Sequence, residues 1–183
     1  MLRRSKAEKR REPVLANVTC CADLKTRLKL ETLQLDNATL DKRKFPGAIA
    51  KCHGGTFILF ENGKVNGTGF KSTVDARKAM DSVAKDLGAT AENFRVVNLV
   101  VSSDLGFRVD LGRMDVEHQD LCHWSNELFP GLYYRPFKKT KKGHLIVAFW
   151  SGKFYVTGVR DLDVATRMLA RFKLFAATYR IAR

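Results

Sequence analysis

The sequence predicts an α+β protein assembled from two copies of one unit. Three observations point there. The order of elements, read from hydrophobic period and turn residues, is strand, helix, three strands, helix, and it occurs twice within 183 residues. Residues also recur in register. Asn17 and Asp23-Leu24 return as Asn98 and Asp104-Leu105 at an offset of 81, and Phe45-Pro46-Gly47 returns as Phe129-Pro130-Gly131 at 84. Phe60, Gly63-Lys64 and Thr68-Gly69 return as Phe149, Gly152-Lys153 and Thr157-Gly158 at 89. Finally, the offset grows only across segments that read as connections, so the strands keep their internal spacing and the second copy has the longer connections.

Each element has its own warrant. Residues 1–12 carry six lysines and arginines against Glu8 and Glu12, with no aromatic residue to anchor them, so residues 1–13 read as a disordered basic arm. The first repeat is then expected over 14–92 and the second over 93–183. Val14 to Cys21 is extended. Leu28, Leu30, Leu33 and Leu35 fit a helix or a strand, and a helix is predicted around Arg27 to Asp36. Lys44 to Lys51 and Thr56 to Phe70 read as strands broken at Gly54-Gly55 and at Asn62-Gly63, the latter a two-residue hairpin signal. Ser72-x-x-Asp75 fits a capping box ahead of a helix with Ala76, Met80, Val83, Ala84 and Leu87 on one stripe and Gly88 as its stop. The second repeat replays this order. It has an extended segment over 93–103, a helix from about Leu111 to Trp124, strands between Glu127 and Gly158, and a last helix capped by Asp161 or Asp163. That helix is expected to bury Val164, Met168, Phe172, Phe175 and Tyr179.

Composition narrows the function. A net charge of +14 with a pI near 9.9 calls for a polyanionic partner, nucleic acid first and an anionic membrane surface second. There is no run of about 18 apolar residues and no signal-peptide core, so a soluble, intracellular protein is expected. Cys20, Cys21, Cys52 and Cys122 show no C-x-x-C spacing and the four histidines are scattered. The thiols therefore read as small hydrophobes, and neither a metal site nor a cofactor is expected. No phosphate-cradling glycine loop, nucleophile elbow or zinc-protease motif occurs, which argues against an enzyme.

Period-2 alternation sorts each strand into two faces, and both are apolar: Phe57 and Leu59 on one, Ile58 and Phe60 on the other. Helices can cover the first face. The second, with Ile58, Phe60, Val147 and Phe149 and the paired threonines, needs another cover. Two readings stay open on the residues alone. One is a sheet closed by a second copy or an unrecognised helix. The other is DNA bound in the minor groove, with apolar wedges between base steps, basic residues on phosphates, and Asn17, Asn98, Thr68 and Thr157 toward base edges.

Glu127-Leu128-Phe129-Pro130-Gly131-Leu132-Tyr133-Tyr134-Arg135 and Phe149-x-Ser151-Gly152-Lys153-x-x-x-Thr157-Gly158 closely resemble the second repeat of the TATA-box-binding protein core domain. Lys42-Arg43-Lys44-Phe45 and Phe60-x-x-Gly63-Lys64-x-x-x-Thr68-Gly69 resemble the first. The resemblance covers about residues 14–180. It implies a saddle, a curved ten-stranded antiparallel sheet with helices on the convex face and DNA beneath the concave one. By the same resemblance Phe45 with Phe60 and Phe129 with Phe149 intercalate. Asn17, Asn98, Thr68, Thr157, Ile58, Val100 and Val147 face the groove, and Lys44, Lys51 and Arg135 contact phosphates. Glu127 and Leu128 fall where the family docks transcription factor IIB, and Asn37 lies near its transcription factor IIA motif. Ser125 replaces an acidic residue of the former site.

The chain also departs from the family. Asn66 and Tyr155 stand where the family has valine two residues before each threonine, and Thr19 replaces another groove-facing valine. The turn before Phe149 is longer than usual and holds Lys138, Lys139, Lys141 and Lys142, which are expected to add phosphate contacts. The implied function is a nuclear promoter-binding factor for A·T-rich, TATA-like DNA that nucleates assembly of the RNA polymerase machinery. The alternative is a TATA-independent relative that acts mainly through protein contacts or with altered DNA specificity.

Overall fold

The computed structural model describes residues 12–35, 37–136 and 143–181. The chain divides into two compact units, Ala16–Asn98 and Leu99–Arg183, the latter together with the residues up to Leu15. Its strands are β1 (Val14–Asp23), β2 (Gly47–Cys52), β3 (Gly55–Phe60), β4 (Lys64–Phe70), β5 (Glu92–Asp104), β6 (Cys122–His123), β7 (Gly131–Tyr134), β8 (Leu145–Phe149) and β9 (Lys153–Val159). Its helices are α1 (Thr73–Asp86), α2 (Leu111–Glu117) and α3 (Leu162–Ala177). All strand pairs within a unit are antiparallel, in the order β2-β3-β4-β1 in the first and β5-β9-β8-β7-β6 in the second. The strand register is interrupted at equivalent places, between Val18 and Thr19 and between Leu99 and Val101.

Alternation works as predicted in β3. Phe57 and Leu59 are fully buried on the helix side, whereas Ile58 and Phe60 remain half-exposed on the other. Helix α1 packs on β4 and α3 on β9, so each unit has one helix-covered sheet face. The first core holds Phe57, Leu59, Val65, Met80 and Val83, and the second Leu132, Ile146, Phe154, Leu169 and Phe172. Phe172 sits 4.9 Å from Phe154 and 5.4 Å from Tyr134, ring centre to ring centre.

The capping signals are realised. The Ser72 hydroxyl accepts from the Asp75 N–H at 3.0 Å and Gly88 follows the helix end, while Asp161 accepts from the Asp163 and Val164 N–H groups at 2.7 and 3.2 Å. Of the stripe expected on α3, Met168, Phe172 and Tyr179 are buried, but Val164 and Phe175 are half-buried and Ala165, Leu169 and Ala176 complete the stripe. A Ser72→Ala substitution is expected to remove about 1 kcal/mol. A thermal melt should record it as a midpoint lowered by about 3 °C.

Four expectations are corrected. The described residues contain nine strands, not ten. The missing one survives as a single bridge, Thr39 to Ile49, because the chain turns at once: the N–H groups of Lys44 and Phe45 both bond to the Asp41 carbonyl at 3.0 Å. The helix predicted over Arg27 to Asp36 is one 3-10 turn, Leu30–Thr32. Its leucine spacing also permits an extended path, and the Leu28 N–H bonds to the Glu61 carbonyl at 3.0 Å, just after Leu24 N–H has bonded to Gly63 O at 2.9 Å. Helix α2 stops at Glu117, since the His118 carbonyl instead accepts from Leu121 and Cys122 and the chain continues into β6. The two-residue hairpin turn is His53-Gly54, both residues at positive φ, while the Asn62-Gly63 turn has three residues, Glu61 to Gly63.

Candidate nucleic-acid interface

On the uncovered face of each unit the structure brings together two phenylalanines. Phe45 and Phe60 lie 5.9 Å apart, centre to centre, at an interplanar angle of 59°, and Phe129 and Phe149 lie 6.0 Å apart at 61°. The repeated local sequence builds both pairs alike. Phe45 N–H bonds to Asp41 O at 3.0 Å and Phe129 N–H to Ser125 O at 2.9 Å, so each ring leaves a closed turn. Pro46 or Pro130 then leads into a glycine. A Cβ on Gly47 would meet the Phe45 ring at 2.8 Å, and one on Gly131 would meet the Phe129 ring at 2.5 Å, so Phe-Pro-Gly lets the ring fold back over the strand start. Phe45 nonetheless stays 37% exposed, which leaves a ring edge free to contact another molecule.

At the other end of β3 from Phe60, where Thr56 pairs with Thr68, lies a cluster of amide and hydroxyl groups. The Asn17 amide donates to Thr68 Oγ1 at 3.0 Å, its carbonyl oxygen accepts from the Gly69 N–H at 2.8 Å, and the Thr19 and Thr68 hydroxyls are 3.2 Å apart. Asn17 is thereby fixed in orientation, and Thr19 replaces an apolar neighbour with a rotatable donor and acceptor. In the second unit Val100 stands where Thr19 does in the repeat, and Val100, Thr157 and Asn98 are all half-buried.

Further along, the strand registers line residues up in rows. Ile58 lies opposite Asn66 and Ile49, and Cys21 beyond Asn66. The matching row of the second unit is Ser102, Tyr155, Val147, Tyr133 and His123. Val147, expected as an open apolar position, is on this face but only 1% exposed, because tyrosines flank it on both neighbouring strands. Tyr133 and Ile49 belong to the face although neither was singled out in the sequence. Alternation along β7 and the offset of 84 between them were the available signal.

Charge lines the edges. Lys44 and Arg43 are strongly exposed and only loosely paired with Asp41, at 3.7 and 3.6 Å. Lys42 is held instead by Glu31 and Glu61, whose hydrogen bonds push its ammonium well above the usual lysine range. Lys51 and Arg135 are both exposed, at the ends of equivalent strands. Lys138, Lys139, Lys141 and Lys142 lie outside the described residues, as does most of the basic arm. Glu127 is exposed, Leu128 is 86% exposed, and Asn37, in the left-handed region at φ 52°, reaches the Lys51 carbonyl at 3.5 Å. Burial pushes the Cys20 thiol up to about 11 and the Cys122 thiol up to about 12, so both stay protonated.

Two α+β units that share the order of four strands, one helix-covered face each, and a phenylalanine pair at equivalent places define a tandem-repeat protein of one particular kind. The model of the family described as transcription factor TFIID (or TATA-binding protein, TBP) matches residues 12–89 and 93–173, and the chain belongs to that family. It is 32% identical over 158 residues to the TATA-box-binding protein of Acetabularia peniculus, covering 81% of each chain. It is 33% identical over 160 residues to TATA-box-binding protein 1 of Triticum aestivum, covering 82% of this chain and 67% of that one. With the TATA-box-binding protein of Artemia franciscana it shares 33% identity over 157 residues, and there it spans only 56% of the relative's length. Among solved structures, the TBP of Methanococcus jannaschii superposes with a TM-score of 0.74 at 27% identity, covering 88% of this chain and 96% of that one.

Proposed function

We propose that this chain is a non-enzymatic transcription initiation factor that binds A·T-rich, TATA-like promoter DNA in the minor groove, kinks it, and nucleates the preinitiation complex. The observation that carries this is the repeated wedge: two phenylalanine pairs of nearly equal geometry, each on a sheet face without a helix of its own. Rings inserted between base steps unstack them, and a bent duplex then meets more protein surface. Each repeat, taken as 14–92 and 93–183, serves one half-site.

The other residues take roles around the wedges. Asn17, Asn98, Thr68 and Thr157 face base edges, where A·T pairs offer acceptors only, with Ile58, Val100, Val147, Thr19, Asn66 and Tyr155 on the groove floor. Lys44, Lys51 and Arg135, joined by the lysines between 138 and 142, neutralise phosphates. The exposed Glu127-Leu128 edge docks a transcription factor IIB-like partner, and the Asn37 region a transcription factor IIA-like one. The site of action is the nucleus, or the transcription site of a source without one.

Equilibrium titration of an A·T-rich duplex against a scrambled one of equal length, over a salt series, tests the reading. Expected is a preference of at least tenfold for the A·T-rich duplex and a steep fall in affinity with salt. Lys51→Ala and Arg135→Ala should each weaken both duplexes alike and flatten the logarithmic salt slope by about 0.9. Equal affinity for both duplexes would overturn sequence-selective groove binding and leave the protein-contact alternative.

A further inference from the structure

We infer that Tyr133 and Tyr155 make the second repeat tolerant of a G·C pair in its half-site, and so set which way round the protein sits on an imperfect A·T-rich sequence. The inference rests on the groove-binding reading and names a specificity within it.

The two faces differ most in one row. In the first unit Ile49 is 37% exposed, Ile58 is half-exposed, and both lie on the open face. In the second, tyrosines occupy both positions flanking Val147. They also bracket the wedge. Tyr133 stacks on Phe129 at 5.4 Å and 14°, Phe129 meets Phe149 at 6.0 Å, and Phe149 meets Tyr155 at 6.3 Å. This continuous run of four rings limits the freedom of each phenol. No such flanking is possible beside Phe45 and Phe60, where the matching residues are Ile49 and Asn66. Burial, and after it the neighbouring Tyr133, push the Tyr155 phenol above its ordinary value, which keeps that hydroxyl protonated.

A protonated phenol is both donor and acceptor. Against an A·T pair it can donate to adenine N3 or thymine O2. Against G·C it can rotate to accept from the guanine N2 amino group, the donor that distinguishes that pair in the minor groove. An isoleucine or valine floor can do neither and leaves the buried amine unpaired, which is how such a floor rejects G·C. Two phenols either side of Val147 therefore relax the discrimination of one half-site more than the other, whose matching row has two isoleucines and a single polar side chain, Asn66.

The test uses the full chain and three duplexes: all A·T, one G·C pair in a single half, and one G·C pair in each half. Because the protein can bind in either orientation, a single G·C should cost less than about threefold, and G·C in both halves at least tenfold. In Tyr133→Phe/Tyr155→Phe, which keeps the rings and removes only the hydroxyls, the single-G·C duplex should lose at least tenfold relative to the all-A·T duplex. The ratio is read in each protein, so a change in overall affinity does not blur it, and each single Tyr→Phe variant serves if the double variant melts early. A wild-type loss of tenfold on the single-G·C duplex, or tolerance retained without the hydroxyls, would overturn the inference. Failure of the wild type to prefer A·T over scrambled DNA would overturn the groove reading itself, a different result.

Discussion

Alanine at both Phe129 and Phe149 should lower affinity for an A·T-rich duplex at least thirtyfold and abolish unstacking at one of two base steps. The physical case rests on what each ring supplies. Opening a base step costs a few kcal/mol, and only a ring or comparable apolar wedge filling the gap can offset it. An aromatic side chain brings on the order of 150–250 Å² of surface, and two alanines bring little. Folding should tolerate the change because Phe129 and Phe149 are only half-buried in the free protein. The remaining pair, Phe45 with Phe60, should still open its own step. With 2-aminopurine at each step in turn, wild type should brighten both and the double variant one, while Phe45→Ala/Phe60→Ala shows the complement. Brightening of both steps by either double variant would contradict the wedge assignment.

Gly152→Ala and Gly63→Ala should each destabilise the fold by more than about 3 kcal/mol, which a thermal melt of a chain this size reads as a fall of about 10 °C. The two glycines are repeat equivalents at φ +89° and +81°. A methyl group at Gly152 would overlap the Phe107 carbonyl, and one at Gly63 the Thr26 carbonyl, again repeat equivalents. Neither backbone can withdraw. The Gly152 carbonyl accepts from the Leu105 N–H and the Gly63 carbonyl from the Leu24 N–H, both at 2.9 Å, and each glycine N–H bonds back to the wedge residue, Phe149 or Phe60, at 2.9 Å. Gly88→Ala separates the causes. It too has positive φ, +66°, but open space around its Cα, so it should cost only the left-handed penalty of about 1–2 kcal/mol. Equal losses at Gly88 and Gly152 would show that backbone conformation, not the clash, sets the effect. The Gly-Lys signature is thus a docking point that ties the strand after each wedge to the first strand of its repeat.

Much of this was legible in the residues. Constant offsets within strands exposed the duplication, and alternation placed Phe57 and Leu59 inward and Ile58 and Phe60 outward. Ser72 announced its helix through a side-chain acceptor that local sequence alone positions, and Asp161 or Asp163 announced the last one, with Asp161 taking the cap. What stayed hidden depended on partners distant in sequence. The run predicted as a helix from Arg27 has no decisive period of its own, and the Leu28 N–H bond to the Glu61 carbonyl draws its start away from a helical path. The first repeat's edge strand shrinks to one bridge because Asp41 closes a turn at once. Val147 is closed off by tyrosines on two neighbouring strands, a consequence of register that a single strand cannot reveal. Tyr133 was missed for the same reason, since its importance appears only beside Tyr155.

Both phenylalanine pairs are proposed to bend DNA at an A·T-rich site. Energy transfer between dyes on the two ends of such a duplex tests it most directly, with a scrambled duplex and a salt series alongside. A rise in transfer on the A·T-rich duplex, absent from the scrambled one and lost in Phe129→Ala/Phe149→Ala, is the predicted result. Binding of both duplexes with equal affinity and no rise in transfer would contradict it.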